Sequence, residues 1–94
     1  MRLTNSEIQA IEKAIYSLDH DAAIYLFGSR ADDSRKGGDI DLLIISKNLT
    51  FSDKIKIKKR IFEHIDEQKI DLIIAKDNAD PFVRLALEQG IRFE

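Results

Sequence analysis

The chain has 94 residues, 44% of them hydrophobic, a formal net charge of −2 and no cysteine. That length lies near the lower end of what buries a self-sufficient core, the hydrophobic share excludes a disordered polymer, and the lack of cysteine excludes disulfides, thiolate zinc sites and a thiol nucleophile. A pI of about 5.7 leaves no electrostatic footprint for generic nucleic-acid binding. The N-terminus "MRLTNSEIQAIEK" lacks the apolar core of a signal peptide, and no apolar run approaches the ~18–20 residues that span a bilayer. A soluble, cytoplasmic protein with no membrane partner is expected, one domain over residues 1–94.

Thr4 with Glu7 three residues later is a capping-box signature, and Ile8, Ile11, Ile15 and Leu18 recur at helical spacing; an amphipathic helix over about 5–18 follows. "DHD" at 19–21 breaks it. "AAIYLF" at 22–27 is short, apolar and rich in strand formers, and it ends at Gly28, which predicts a strand. The polar segment 28–38, closing on Gly37-Gly38, reads as a turn with room for one helical turn. "DIDLLIIS" at 39–46 predicts a second strand, and its nearly continuous apolar character implies cover on both faces.

Phe51, Ile55, Ile61, Phe62 and Ile65 predict a helix from about 51 to 66, although Lys54 and Lys58 fall inside its apolar arc and "KIKIK" alternates like a strand. "KIDLIIAK" at 69–76 is a third strand. Asp80-Pro81 supplies a cap and a proline for a helix over 81–89, Gly90 is a fitting stop, and "IRF" adds a short edge strand. The order α-β-β-α-β-α gives an α/β (α+β) fold, a small mixed β-sheet flanked by helices.

Two features stand out chemically. Asp39 and Asp41 open an apolar strand, where alternate residues share a face, so their carboxylates stand roughly 6.6 Å apart at ~3.3 Å per residue. Beside Leu42, Leu43, Ile44 and Ile45 such a pair repels itself and resists desolvation, and a bound Mg²⁺ removes both penalties while leaving positions for substrate phosphates. Asp71 lies near the start of the next apolar strand. If the two strands are parallel neighbours, it meets the pair and makes a two-metal or metal-plus-base centre. Gly28-Ser29 ends the preceding strand, where backbone amides and a hydroxyl hold phosphate oxygens, and Arg30, Arg35 and Lys36 in the same connection can neutralise their charge.

Taken singly, these residues have plainer readings: Asp39 closes a turn, Asp71 is a water-exposed strand end, and Gly-Ser is a common turn pair. Asp41 resists that reading because it is already inside the apolar run. The combination points to a metal-bound nucleoside triphosphate. A calcium loop from Asp32 fails, since its fifth and twelfth residues are Lys36 and Leu43, and the glycine fingerprints of P-loop and dinucleotide folds are missing. His20 and His64 read as surface residues. Lys54, Lys56, Lys58, Lys59 and Arg60 scatter around a helix with no aromatic platform, which makes a solvated surface rather than a nucleic-acid site. Lys58 alone projects within the apolar arc, to snorkel or to meet a partner.

With Gly28, Ser29, Asp39, Asp41 and Asp71 in place, the sequence resembles the polymerase-β-like nucleotidyltransferase superfamily, and within it the minimal nucleotidyltransferases, or MNT proteins. The family pattern runs from an apolar strand through Gly-Ser and a polar connection to Asp-x-Asp in a strand, and "LFGSRADDSRKGGDIDLLII" fits it throughout; Asp71 in "KIDLII" matches the third carboxylate on a later strand. The resemblance covers about residues 20–76. It implies that Asp39 and Asp41 coordinate Mg²⁺, that Asp71 completes the metal site or takes the proton of the attacking hydroxyl, and that Gly28 and Ser29, with Arg30, hold the triphosphate of ATP. An acceptor hydroxyl would attack the α-phosphorus and expel pyrophosphate.

Larger branches of the superfamily carry further domains for which 94 residues leave no room. Short members resemble the MNT half of a pair whose other half is a helical HEPN RNase toxin. That implies an antitoxin that adenylylates a tyrosine of its partner, in a hetero-oligomer. The alternatives are an antitoxin that neutralises by complex formation alone, and transfer to a small-molecule hydroxyl in a site completed by homo-oligomerisation.

Overall fold

The structure, a computed structural model, describes residues 3–31 and 39–93. Helix α1 (Asn5–Tyr16) opens with the expected reciprocal cap: the Glu7 amide donates to Thr4 Oγ1 at 3.1 Å and the Thr4 amide to Glu7 Oε1 at 2.8 Å. It ends at Tyr16 rather than near residue 18 because Ser17 Oγ folds back on the Ala14 carbonyl (2.9 Å), while the amides of Leu18 and Asp19 both reach Ile15 O. Strand β1 (Ala23–Phe27) leads into a 3-10 turn over Gly28–Ala31. Strand β2 (Ile40–Ile45), a 3-10 turn at Phe51–Asp53, helix α2 (Lys54–Ile61), strand β3 (Ile70–Ala75), helix α3 (Pro81–Gln89) and the short strand β4 (Ile91–Arg92) complete the described chain.

The sheet has the order β3-β2-β1-β4, with β2 and β3 parallel and the other neighbours antiparallel. This is the mixed sheet expected, and no helix among the described residues is long and apolar enough to cross a membrane. Alternation along each strand divides the core in two. Ile24, Leu26, Ile40, Leu42, Ile44, Ile70 and Leu72 pack on the α1/α2 side with Ala10, Ile11, Ala14, Ile15, Ile57 and Ile61. On the other side Leu43 meets Val83 and Ala86 of α3, flanked by half-buried Tyr25, Phe27, Ile45 and Ile73. Leu42, Leu43 and Ile44 are fully buried, which bears out the two-sided cover expected of β2.

Helix α2 corrects the expectation for 51–66. It is shorter, and its inward residues are Ile57 and Ile61, while Phe51 and Ile55 are 79% and 80% exposed. Isoleucines two apart lie ~200° apart on a helix, so only one of Ile55 and Ile57 can face the core, and Ile57 has Ile61 one turn on to extend its stripe against α1. The Lys54 ammonium sits 4.4 Å from the centroid of the Phe51 ring. Helix α3 matches its prediction: Asp80 Oδ1 accepts from the Phe82 amide at 2.7 Å with Pro81 in the first turn.

One buried polar contact was not foreseen. Asp19, at the break after α1, accepts a 2.5 Å hydrogen bond from Ser46 Oγ at the end of β2; Ser46 Oγ in turn accepts from the amides of Asn48 (3.1 Å) and Leu49 (2.9 Å). The Ser46 hydroxyl holds the Asp19 carboxyl below the usual carboxylate range, against the opposing effect of burial. Ser46→Ala is expected to cost about 1–3 kcal/mol, a fall in Tm of roughly 4–8 °C per kcal/mol for a domain of this size. A lowered folded pKa means that the Asp19 contribution is present above pH ~4 and lost as the pH falls through the folded value. Thermal melts across that range should therefore show a flatter acid limb for Ser46→Ala than for the wild type.

Candidate active site

Strand pairing brings together residues that the sequence separates. In register, Phe27 faces Asp41 across the β1–β2 ladder and Asp41 faces Asp71 across the parallel β2–β3 ladder. Phe27, Asp41 and Asp71 therefore form one row across three strands, on the α3 side of the sheet, because they alternate with residues of the α1/α2 core. The parallel pairing expected of the second and third strands is present, and Asp71 meets Asp41 as that pairing requires.

The electrostatics of the row are unfavourable as it stands. Asp41 is pushed above the usual carboxylate range by burial first, then by the charge of Asp71 and a hydrogen bond with it, then by the charge of Asp39. Lys69 pulls weakly the other way. Asp39 lies one residue before β2 rather than inside it, and its Oδ2 stands 3.4 Å from Lys69 Nζ. Lys69 was not singled out from the sequence; its signal is positional, since the Ile40↔Ile70 register puts residue 69 beside residue 39.

Gly28 explains why a glycine ends β1. Its φ is +74°, a conformation that L side chains rarely adopt, and a Cβ built there would overlap Asp41 Oδ2. The backbone thus passes directly against the carboxylate, at the start of the 3-10 turn that continues through Ser29 and Arg30. The side chains of Ser29 and Arg30, like Arg35 and Lys36, lie outside the described part of the structure.

The residues present fit a divalent cation in part. Among the described residues no three His, Cys, Asp or Glu side chains are drawn together as a finished metal site. The Asp41–Asp71 pair is the assembled portion, and the repulsion that raises Asp41 is the kind a cation relieves. Asp39 is held by a solvent-exposed ion pair, an interaction worth ~0–1 kcal/mol, so its carboxylate is cheaply released from Lys69. A cavity of about 410 Å³ between the ends of α1 and α2, lined by Lys13, Ser17, Arg60 and His64, is remote from this row and contains none of its carboxylates.

A mixed sheet backed by two helices, with paired aspartates on parallel strands next to a glycine turn, defines the class of nucleotidyltransferase domains. The sequence model of the family described as Polymerase beta, Nucleotidyltransferase matches residues 9–93, and the chain belongs to that family. The match spans β1, the glycine turn and all three aspartates, and nucleotidyl transfer is accordingly its general function. No curated protein matches the chain.

Two outcomes follow from the geometry. In chelator, Asp41→Asn should be more heat-stable than the wild type at neutral pH. The ionised wild-type carboxylate opposes folding there, and that penalty lifts as the pH falls through the raised folded pKa, so the two melting curves should converge toward pH ~4. Gly28→Ala should lose about 1–2 kcal/mol from the left-handed backbone alone, with a further loss from the overlap with Asp41, measurable by urea unfolding.

Proposed function

We propose that the protein is a Mg²⁺-dependent nucleotidyltransferase of the minimal type that moves AMP from ATP to a hydroxyl of a partner protein. The observation that carries this is the Asp41–Asp71 pair set side by side by a parallel ladder, with the Gly28 backbone against one of the two carboxylates. Asp39, Asp41 and Asp71 would hold the metal, with Asp39 exchanging Lys69 for it. When bound, the metal supplies charge neutralisation for the attacking and leaving oxygens of an in-line displacement.

The chain's own residues do the rest. Gly28 and Ser29, followed by Arg30, receive the triphosphate on the turn after β1, where close backbone approach is possible. The acceptor oxygen forms a bond to the α-phosphorus as the bond to the bridging oxygen breaks, and pyrophosphate leaves. The proton of the acceptor hydroxyl passes to Asp71, the more exposed of the paired carboxylates. The resemblance to MNT proteins favours an antitoxin role, with a tyrosine of a helical HEPN toxin as acceptor. Phe51, in the turn before α2, and Ile55 on α2, set beside lysines, support a protein partner, because among the described residues they are large apolar side chains left exposed. The second reading is neutralisation by complex formation without transfer, for which that same surface would suffice.

Incubation of the protein with ATP, Mg²⁺ and a HEPN-type partner, followed by intact-mass measurement, should show the partner gaining nucleotidyl units. Asp41→Asn and Asp71→Asn should each reduce the rate by about a hundredfold or more, the scale of losing one electrostatic group at a reacting centre. A double Asp39→Asn/Asp41→Asn variant that still neutralises the partner at equal stoichiometry, with no mass gain in the wild-type reaction, would establish the second reading instead.

A further inference from the structure

Phe82 is a large apolar side chain that the fold leaves 52% exposed, although α3 has an inward stripe to offer at Val83 and Ala86. It is also not isolated. Its ring meets Phe27 edge-on, with centroids 6.3 Å apart and planes at 83°. Phe27 is the last residue of β1: it precedes Gly28 directly and sits opposite Asp41 in register. The far end of the same helix supports this placement, since a Cβ added at Gly90 would lie 3.6 Å from Phe27 Cβ and 3.0 Å from Leu26 O. One side of α3 therefore overhangs the end of β1, and Phe82 extends the row Asp71–Asp41–Phe27 with a half-exposed aromatic ring.

We infer that Phe82, backed by Phe27, is the stacking platform for the nucleobase of the nucleoside triphosphate. The inference rests on the reading of Gly28 and the aspartates as the triphosphate and metal site, and it adds where the rest of the nucleotide goes. A triphosphate anchored on the turn at Gly28 places its sugar and base next to the end of β1, where Phe82 and Phe27 are the aromatic residues in mutual contact. Every base has a π-face, so an aromatic platform binds bases with little discrimination among them. An edge-to-face neighbour fixes the ring, and half of the Phe82 surface stays accessible beside it. A second exposed apolar residue one turn on, Leu85 at 48%, widens the surface.

The chain contains no tryptophan, so Phe82→Trp introduces a single fluorescent reporter at the proposed platform. The test measures binding of Mg-ATP and of Mg-tripolyphosphate, which shares the phosphates and lacks the base, to the wild type, Phe82→Ala and Phe82→Trp. Expected is a loss of Mg-ATP affinity of roughly tenfold or more in Phe82→Ala, the size of one stacking interaction, with tripolyphosphate binding unchanged, which also certifies the fold. Phe82→Trp should keep Mg-ATP affinity, and its emission should be quenched by ATP but not by tripolyphosphate. If Phe82→Ala binds both ligands as the wild type does, or if the tryptophan is blind to ATP that demonstrably binds, the platform is elsewhere while the nucleotidyltransferase site stands. A Phe82→Ala variant with normal ATP affinity and slowed transfer to an acceptor would also overturn the inference, assigning the ring to the acceptor. Should the wild type bind neither ligand, the triphosphate site itself fails and the platform with it.

Discussion

The fold is organised around a repulsion. Asp41 and Asp71 are register partners on parallel strands, and neither can move away without breaking the ladder that buries Leu42, Ile44, Ile70 and Leu72 beneath them. Hydrophobic burial, at roughly 25 cal/mol per Å² of apolar surface, holds the strands in place over their whole length. Carboxylate repulsion acts at one row only. The burial wins, and the unfavourable carboxylate pair is retained on the face where a cation and phosphates are proposed to arrive.

The two faces of the sheet divide the labour. The α1/α2 side holds most of the buried residues, and the hydrogen-bonded cap of α1 and the inward stripes of both helices serve it. Among the described residues, the α3 side buries Leu43, Val83 and Ala86 and leaves Tyr25, Phe27, Ile45 and Ile73 half-covered. The glycine turn and the paired aspartates belong to the thinner side or its edge. A site that must exchange water, metal and substrate needs such a side, and the thicker one carries the stability it forgoes.

Much of this was legible residue by residue. Thr4 and Glu7 announced α1, Asp80-Pro81 and Gly90 bounded α3, and the unbroken apolar run after Asp41 announced a strand covered twice. The pairing of Asp41 with Asp71 follows from the sequence once the second and third strands are parallel neighbours. Other features required three dimensions. The phase of α2 could not be read because Ile55 and Ile57 are equally apolar, and packing against α1 selects between them. The Asp39–Lys69 contact exists only through the register, and the Asp19–Ser46 bond links a helix break to a strand end across 27 positions. Phe82 gave no signal because an apolar residue in a helix is by default a core residue, and its exposure depends on how α3 crosses β1.

The Asp19–Ser46 contact has a meaning beyond its own energy. A strand reading Leu-Leu-Ile-Ile, apolar on both faces, is poorly protected against sliding, because a slip by one residue exchanges one greasy side chain for another. The polar residues at its ends are what distinguish the correct alignment. Ser46 meets the buried Asp19 carboxylate where β2 ends, and in the β1–β2 alignment that goes with this contact Asp41 stands opposite Phe27, the residue before Gly28. The hydroxyl remote from the site thus works as an alignment pin: it favours one longitudinal position of β2 along β1, and with it the close approach of the Gly28 backbone to the Asp41 carboxylate.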